Sequence, residues 1–351
     1  MTSTDLHATA RVTANDRDRD TSISRWSHRL SVPCGQEDLH RNQPTTALVV
    51  PTLNPGVSFK LWLEALGRQT VQPDQRLLID SASTDHTISL ALEAGFRVRS
   101  IRREDFSHGG TRQLAADSLA EADIIIFLTQ DAVLADSRAL ERLIAAFRDP
   151  QVAAAYGRQL PRPGADPIEA HARHFNYPAC SHVRSRHDIP NLGIKCSFLS
   201  NSFAGWRRKA LLEIGGFPKH TIQNEDAWVA SKLVLSGYRI AYCAEATVFH
   251  SHCHTWRQEL KRYFDIGVFH ARDSWILNEF GTAGSEGKRF VISELKYLAE
   301  HGPRFIPSAI TRTGLKLLGF KLGNNEDKLP LWLKRRLTTN ESYWKQKGTC
   351  G

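Results

Sequence analysis

The chain has 351 residues, 41% of them apolar, and a formal net charge of +9 at pH 7. This length suits one large domain or two ordinary ones, and the apolar fraction suits a globular protein with a core. No stretch reaches the roughly 18 consecutive apolar residues that a membrane span needs, and the N-terminus lacks the apolar core of a signal peptide. The six cysteines form no C-x-x-C pair, so we expect free thiols and a cytoplasmic location.

The positive charge is concentrated at the C-terminus. Residues 285–351 hold 13 Lys and Arg against six Asp and Glu, whereas residues 1–43 hold six of each and have no apolar periodicity. We therefore predict a disordered tail over residues 1–43 and a basic helical extension over residues 281–351. Such a basic region could meet nucleic acid, anionic lipid or a phosphorylated substrate.

Strand and helix patterns alternate between these two ends. Strand patterns cover 47–50, 76–79, 96–101, 124–128, 152–156 and 239–249, and helical patterns cover 59–66, 87–94, 111–122, 140–147, 209–214, 226–235 and 255–277. The alternation predicts an α/β fold with a mostly parallel sheet and helices on both faces. Ligands bind such sheets at the carboxyl ends of the strands.

Carboxylates follow two of the predicted strands. Asp80 and Asp85 come after the second strand, and Asp131 comes after the fourth, a fully apolar one. Asp and Ser are also favoured as helix caps and turn residues, so part of this pattern could be structural. Asp131 is well placed to bind a hard cation such as Mg²⁺ or Mn²⁺, which prefers oxygen ligands.

Two further motifs place charged residues at the start of helices. Glycines 109 and 110 precede Arg112, so this turn could bind a phosphate, or Arg112 could orient an acidic neighbour. Glu225 and Asp226 open a later helix, where they could complement the helix dipole or supply a general base. The spacing alone leaves these alternatives open.

Three histidines alternate after the last predicted strand, at positions 250, 252 and 254. Alternate residues of an extended chain share a face, so one or more imidazoles could bind the same metal as Asp131. A separate zinc site would need a second pair of ligands, which the sequence does not supply. Exposed loop histidines are the alternative.

Together these motifs resemble the family 2 glycosyltransferases with the GT-A fold, and most of all the bacterial rhamnosyltransferases of surface-polysaccharide assembly. The resemblance covers about residues 46–275. It is carried by PTLNPG (51–56), I-D-S-x-S-x-D-x-T (79–87), F-x-H-G-x-T-R (106–112), L-T-Q-D-A (128–132), Y-G-R-Q (156–159), S-N-S-F-A-x-W-R-R (200–208), E-D-x-W (225–228) and H-S-H-x-x-T (250–255). It implies a GT-A domain over residues 44–280.

The resemblance also implies a donor site. Its residues would be Thr52, Leu53, Asn54, Asp80, Asp85, Arg112 and Gln130. Among them, Asp80 would accept a hydrogen bond from a pyrimidine N3–H, and Arg112 would orient the metal or diphosphate region.

A metal site and a catalytic pair complete the implied active site. Asp131 and His250 would bind Mg²⁺ or Mn²⁺. Thr129 stands where the family has the first Asp of its Asp-x-Asp motif, so one anionic ligand is missing. Asp226 would be the catalytic base, with Glu225 beside it.

The implied function is inverting transfer of a sugar to a hydroxyl of a saccharide or lipid-linked saccharide acceptor. By resemblance the donor is dTDP-L-rhamnose and the product belongs to O-antigen or exopolysaccharide. A UDP- or GDP-linked donor, or a protein that binds nucleotide sugars without turnover, is the alternative. A sugar nucleotidylyltransferase is disfavoured, because its Gly-rich turn follows the first strand, whereas this one follows the third.

Nucleic acid is not an expected partner, because the basic surplus lies at the C-terminus while the strand ends are acidic.

Apolar and basic residues are mixed over residues 304–336. This segment could lie on an anionic membrane, at the inner face of the plasma membrane. The alternative is an ordinary helix that packs on the catalytic domain with a solvated basic face.

Overall fold

A mixed sheet forms the centre of the structure, a computed structural model that describes residues 43–252, 254–282 and 286–346. Its strands are β1 (Thr46–Thr52), β2 (Gln75–Asp80), β3 (Arg97–Ser100), β4 (Ile124–Leu128), β5 (Val133–Leu134), β6 (Val152–Leu160), β7 (His182–Arg184), β8 (Phe203–Arg207) and β9 (Arg239–Phe249). Their order is β3-β2-β1-β4-β8-β6-β9-β5, and β7 pairs with β9. Strands β1 to β4 pair in parallel, and β8 runs antiparallel between β4 and β6.

Helices surround this sheet and fill the C-terminal part of the chain. They are α1 (Ser58–Gly67), α2 (Thr87–Glu93), α3 (His108–Ser118), α4 (Ala139–Ala145), α5 (Pro167–Asn176), α6 (Ile189–Leu192), α7 (Arg208–Glu213), α8 (Glu225–Leu235), α9 (Trp256–Arg272), α10 (Trp275–Phe280), α11 (Glu286–His301), α12 (Ile306–Asn324), α13 (Leu331–Leu337) and α14 (Glu341–Gln346). Within the described residues, no helix is both long enough and apolar enough to cross a membrane.

The sheet is buried on both faces, as the predicted α/β fold requires. Alternate residues of β1 belong to different apolar clusters, with Ala47 and Val49 in one and Leu48 and Val50 in the other. All four side chains are fully buried. Because successive side chains of a strand point to opposite faces, each face of β1 packs against its own layer.

Three predicted elements differ from the structure by more than two residues or are divided. Helix α3 begins at residue 108 instead of 111, because the Ser107 hydroxyl caps it by accepting from the Gly110 N–H at 3.1 Å. Strand β6 continues to residue 160 because β9 pairs with it that far. The predicted helix 255–277 is two helices, and the break lies at Asp273, whose carboxylate accepts the Trp228 indole N–H at 3.1 Å.

The C-terminal helices pack closely against α9. A Cβ on Gly319 would lie 2.4 Å from the carbonyl oxygen of Leu260, and one on Gly323 would lie 2.0 Å from that of Phe264. Only glycine allows α12 and α9 to approach this closely. The Trp344 side chain of α14, which is 2% exposed, belongs to the same apolar cluster as the sheet.

Two predictions fall partly outside the described residues. The tail predicted over residues 1–43 lies outside them except for residue 43, as do the cysteines at positions 34, 253 and 350. The other three cysteines, Cys180, Cys196 and Cys243, are free thiols, which agrees with the prediction for these positions.

Candidate active site

A cavity of about 330 Å³ opens at the carboxyl ends of β1 and β4. Its lining comprises Pro51, Thr52, Leu53, Ser81, Arg103, Phe106, His108, Arg112, Thr129, Gln130, Asp131 and Ser342. The structure thus brings together five residues predicted from motifs that are far apart in the sequence. Gln130 connects two of the strand ends, since its amide oxygen accepts from the Leu53 N–H at 2.8 Å. Ser342 belongs to α14, so the C-terminal region contributes to this cavity.

Three other predicted donor residues fasten the loops beside the cavity and do not line it. Asn54, Asp80 and Asp85 accept hydrogen bonds from Thr84, Ser83 and Gly56 backbone N–H groups at 2.7, 2.8 and 2.9 Å, respectively. Asp80 is only 1% exposed, and it also accepts from the Thr52 hydroxyl at 3.1 Å. These contacts join the loop after β1 to the loop after β2. The donor-binding roles of the three residues stay predictions.

Asp131 meets two histidines beside the cavity. Its Oδ2 lies 3.5 Å from His250 Nε2 and 3.3 Å from His252 Nε2. One potential ligand atom from each of the three residues lies within 4.8 Å of the others, a group that could hold a metal ion. Strand β4 ends just before Asp131 and β9 just before His250, so the sheet itself brings them together.

His252 was not among the metal ligands taken from the resemblance. The alternation of histidines after β9 was the signal for it, because residues 250 and 252 share a face of an extended chain. Among the described residues, no second acid joins Asp131 in this group to replace the carboxylate missing at Thr129. Instead the Thr129 hydroxyl donates to Asp131 Oδ1 at 2.6 Å, which leaves Oδ2 towards the imidazoles.

The charge states of these groups suit a cation. Burial would raise the pKa of Asp131, but the hydrogen bond and charge of His250, with smaller contributions from Thr129 and His252, hold that pKa well below its usual range. Burial, followed by the neighbouring His250, lowers the pKa of His252 to about 4. At neutral pH Asp131 is therefore a carboxylate and His252 a neutral imidazole, the forms that bind metals.

The two acids at the start of α8 have different surroundings. Residue Asn224 has a left-handed backbone (φ 60°), and Glu225 after it is buried against Arg112 at 3.1 Å. Glu225 also accepts from the Asn201 side-chain amide at 3.0 Å. Asp226 accepts backbone N–H groups of Asn201 at 3.1 Å and Ala227 at 2.8 Å, but has no cation partner among the described residues.

These surroundings move the two carboxyl pKa values apart. Burial would raise the pKa of Glu225, but the Arg112 guanidinium and His108 outweigh it and lower that pKa. Burial, reinforced by the negative charge of Glu225, raises the pKa of Asp226 to about 7. A carboxylate with a pKa near the working pH can accept a proton and remain ionised, which is what a general base requires.

Arg112 is held by the protein on several sides. Besides Glu225 it donates to the His108 carbonyl at 3.0 Å, and its guanidinium lies 5.7 Å from the centre of the Phe127 ring. It is 5% exposed. Of the two sequence interpretations, the one in which Arg112 orients an acidic neighbour describes these contacts.

The mixed sheet with helices around it and a cavity at the strand ends places the chain in the α/β class. The family model described as "Glycosyl transferase family 2" matches residues 47–215. The chain belongs to this family, as its motifs predicted, and it is a glycosyltransferase.

Two curated relatives match most of the chain. It is 49% identical over 298 residues to the O-antigen chain rhamnosyltransferase RfbN of Salmonella typhimurium, covering 85% of this chain and 95% of RfbN. It is 48% identical over 302 residues to the O-antigen chain rhamnosyltransferase WbaN of Salmonella anatum, covering 86% and 96%.

One solved structure supports the fold. The mannosyltransferase PcManGT of Pyrobaculum calidifontis, in complex with GDP-Man and Mn²⁺, superposes with a TM-score of 0.50 and covers 88% of this chain and 86% of its own. The two chains are 18% identical, so the likeness concerns the fold alone. It agrees with the GT-A fold predicted from the sequence.

Proposed function

We propose that this glycosyltransferase moves L-rhamnose from dTDP-L-rhamnose to a hydroxyl of a saccharide or lipid-linked saccharide in O-antigen assembly. The observation that carries the proposal is the 49% identity along 95% of the rhamnosyltransferase RfbN. The arrangement of the cavity, the metal-binding group and Asp226 is consistent with it.

Asp226 is the proposed catalytic base. Its carboxylate takes the proton of the acceptor hydroxyl while the acceptor oxygen forms a bond to the anomeric carbon. The bond from that carbon to the nucleoside diphosphate breaks on the opposite face. The configuration at the anomeric carbon is inverted, so a β-linked donor gives an α-L-rhamnoside. Glu225 has a different role: it raises the pKa of Asp226 and is itself neutralised by Arg112.

Asp131, His250 and His252 are the proposed metal ligands. The residues fit a divalent cation, because an anionic oxygen and two imidazole nitrogens converge within 4.8 Å. A bound Mn²⁺ or Mg²⁺ would offset charge that develops on the leaving diphosphate. We favour Mn²⁺, because Mg²⁺ prefers oxygen ligands and two of these three groups are imidazoles.

The cavity beside these ligands is the proposed donor site. Thr52, Leu53 and Gln130 line it next to the ends of β1 and β4, where a nucleoside would lie. Asp80 and Asp85 would support this site by holding the loops that follow β1 and β2. Calorimetric titration with dTDP-rhamnose, UDP-glucose and GDP-mannose, each with and without Mn²⁺, tests the proposal. Preferential, Mn²⁺-assisted binding of dTDP-rhamnose is expected, and preference for another donor would overturn the sugar assignment.

The C-terminal helices are proposed to contact an anionic membrane at the cytoplasmic face. Leu317 on α12 is 61% exposed and Trp332 on α13 is 65% exposed, and the side chains of Arg335 and Arg336 are exposed close to Trp332 in sequence. Exposed apolar side chains beside cations are complementary to anionic lipid headgroups and acyl chains. Two other basic residues of α12, Arg312 and Lys316, instead face Glu259 inside the protein, at 3.6 and 3.8 Å.

Sedimentation with phosphatidylglycerol vesicles tests this contact. The double variant Leu317→Ser/Trp332→Ser should sediment less than the native protein. A matched control is Leu61→Ser/Leu92→Ser, which removes two apolar side chains that are 60% and 57% exposed on α1 and α2. Equal sedimentation of both variants and the native protein would favour ordinary solvated helices.

A further inference from the structure

Gln159, at the end of β6, connects three elements around the proposed metal ligands. Its side chain is buried, with 2% of the residue exposed. The amide oxygen Oε1 lies 2.9 Å from His250 Nδ1, and the same oxygen accepts a hydrogen bond from the Arg173 guanidinium. The amide nitrogen Nε2 donates to the Ser200 hydroxyl at 3.0 Å. The motif Y-G-R-Q that contains Gln159 carries part of the family resemblance, but none of its residues was assigned a role in the site.

The donors around Gln159 determine which way its amide points. A guanidinium can only donate hydrogen bonds, so the atom of Gln159 that faces Arg173 must be the oxygen. The same oxygen faces His250, and an oxygen that accepts there requires a proton on Nδ1. Once a cation displaces any proton from Nε2, an imidazole with Nδ1 protonated has its lone pair on Nε2. That Nε2 is the atom that lies 3.5 Å from Asp131 Oδ2.

We propose that Gln159, with its amide orientation fixed by Arg173, is a positioning residue that holds His250 in the Nδ1–H tautomer and so presents the Nε2 lone pair to a divalent cation. The effect on cation binding rests on the metal-binding role proposed above for His250. The tautomer of His250 does not depend on that role. Hydrogen bonds to the far nitrogen of a metal-binding imidazole commonly orient the ring and set its tautomer in this way.

Arg173 is well suited to this task. It belongs to α5, and its guanidinium lies 5.8 Å from the centre of the Tyr177 ring. Its Nε has no hydrogen-bond partner in the structure, and no carboxylate lies within ion-pair distance among the described residues. The Gln159 oxygen is therefore the main acceptor for this guanidinium, which makes a flipped amide costly.

Variants of Gln159 separate this role from simple packing. Gln159→Leu removes the acceptor, whereas Gln159→Glu keeps an oxygen that both His250 and Arg173 can reach. Titration of the full chain with Mn²⁺ alone, without nucleotide, should show about 10- to 100-fold weaker binding for Gln159→Leu. Gln159→Glu should stay within a few-fold of the native affinity. Gln69→Leu is the matched control, because Gln69 is also buried (6% exposed) and joins α1 to the loop before α4.

Nuclear magnetic resonance of the protein labelled with ¹⁵N-histidine tests the tautomer directly. The His250 signals are assigned by their loss in His250→Asn. We expect Nδ1 of His250 to carry a proton in the native protein and in Gln159→Glu, with or without a second proton on Nε2 opposite Asp131. In Gln159→Leu, Nδ1 should lose its proton in part of the molecules. Arg173→Met should have the same effect, because the amide can then flip.

Two outcomes would overturn the proposal: an imidazole at His250 that lacks a proton on Nδ1 in the native protein, or native Mn²⁺ affinity in Gln159→Leu. Absence of Mn²⁺ binding in the native protein has a different meaning. It would refute the proposed metal role and with it the effect on cation binding, while the ¹⁵N spectra would still decide the tautomer. Failure of rhamnosyl transfer would leave both measurements unaffected.

Discussion

Buried acids in two regions of the molecule are stabilised in different ways. At the start of α8, Asp226 receives two backbone N–H groups and lies beside a second acid, Glu225. In the C-terminal helices, Asp265 accepts hydrogen bonds from the hydroxyls of Thr338 and Thr339, and no other acid is among the groups that shift its pKa. Burial raises the pKa of both carboxyls. Only Asp226 also lies against a like charge, so a raised pKa alone does not identify a catalytic acid.

A second C-terminal acid extends the comparison. Glu326 lies 2.6 Å from Arg272 and 2.5 Å from Lys334, so two cations from different helices neutralise one carboxylate. Such a group fastens α9 to the segment before α13. Asp226 accepts only backbone N–H groups, those of Asn201 and Ala227, and pairs with no cation among the described residues. The difference suggests that the C-terminal acids stabilise the fold, whereas the α8 pair maintains a carboxylate that can exchange a proton.

The largest effect expected from this comparison is that of Asp226→Asn. Loss of a general base should lower the rate of rhamnosyl transfer by about 10²- to 10⁴-fold, while donor affinity stays near the native value. Asp265→Asn is the matched variant in the other region. It should leave the rate within a few-fold and instead lower the free energy of unfolding by about 1 to 3 kcal/mol.

Steady-state kinetics, donor calorimetry and urea unfolding of both variants decide the matter. If Asp226→Asn lost donor binding while remaining folded, its assignment as the base would be wrong. If Asp265→Asn lost activity at native stability, the C-terminal acid would have a catalytic role that the comparison denies.

Much of the site could be predicted because its residues follow the ends of regular strands. Asp131 and His250 come directly after β4 and β9, and parallel strand ends meet at one edge, so sequence position alone indicated their proximity. Gln159 was harder to assign, because β6 was expected to stop at residue 156 and only its pairing with β9 extends it. Ser342 carries no such signal, since its position in the cavity depends on packing of the C-terminal helices.

Sequence position also did not predict which charged side chains form pairs. Local sequence showed that Arg112 opens α3 and that Glu225 opens α8, but not that the two side chains form a buried pair. Which of two adjacent acids is neutralised depends on such a long-range contact. The assignment of Asp226 as base came from the resemblance, and the structure adds a physical reason for it.

Glu225→Gln is expected to have the next largest effect. The substitution leaves the buried Arg112 without a carboxylate, and the free energy of unfolding should fall by about 3 kcal/mol, measured with urea. It also removes a negative charge beside Asp226, so the pKa of Asp226 should fall. Arg112→Gln/Glu225→Gln is the companion variant, because it removes both charges together and should recover part of the lost stability.

The pH dependence of kcat/KM tests the electrostatic half of this prediction. In the native enzyme the base must be ionised, so kcat/KM should fall as pH drops below about 7, the pKa of Asp226. In Glu225→Gln this acidic limb should move to lower pH, because protonation of Asp226 becomes harder once the like charge is gone. An unmoved limb would mean that a different group controls it.

The smallest effect is expected from Thr338→Val. This variant tests whether the hydrogen bonding of Asp265 influences donor binding in the cavity. The Thr338 hydroxyl is buried and donates to Asp265 at 2.6 Å, and the chain continues directly to Ser342 in the cavity lining. The same hydroxyl accepts from the Asn340 N–H at 2.9 Å, so the substitution removes two hydrogen bonds and should cost about 2 kcal/mol of stability. Because residues 338–344 are then less firmly positioned beside the cavity, donor affinity should fall a few-fold with kcat unchanged.

Thr311→Val provides the control, because this exposed threonine donates only to the Pro307 carbonyl within α12, at 2.9 Å. It should change neither stability nor donor affinity. If Thr338→Val lowers stability but leaves donor affinity intact, the segment from 338 to 344 stabilises the fold without shaping the cavity. A loss of donor affinity in Thr338→Val alone would make the C-terminal segment part of the donor site, and the two regions would then be joined through Asp265.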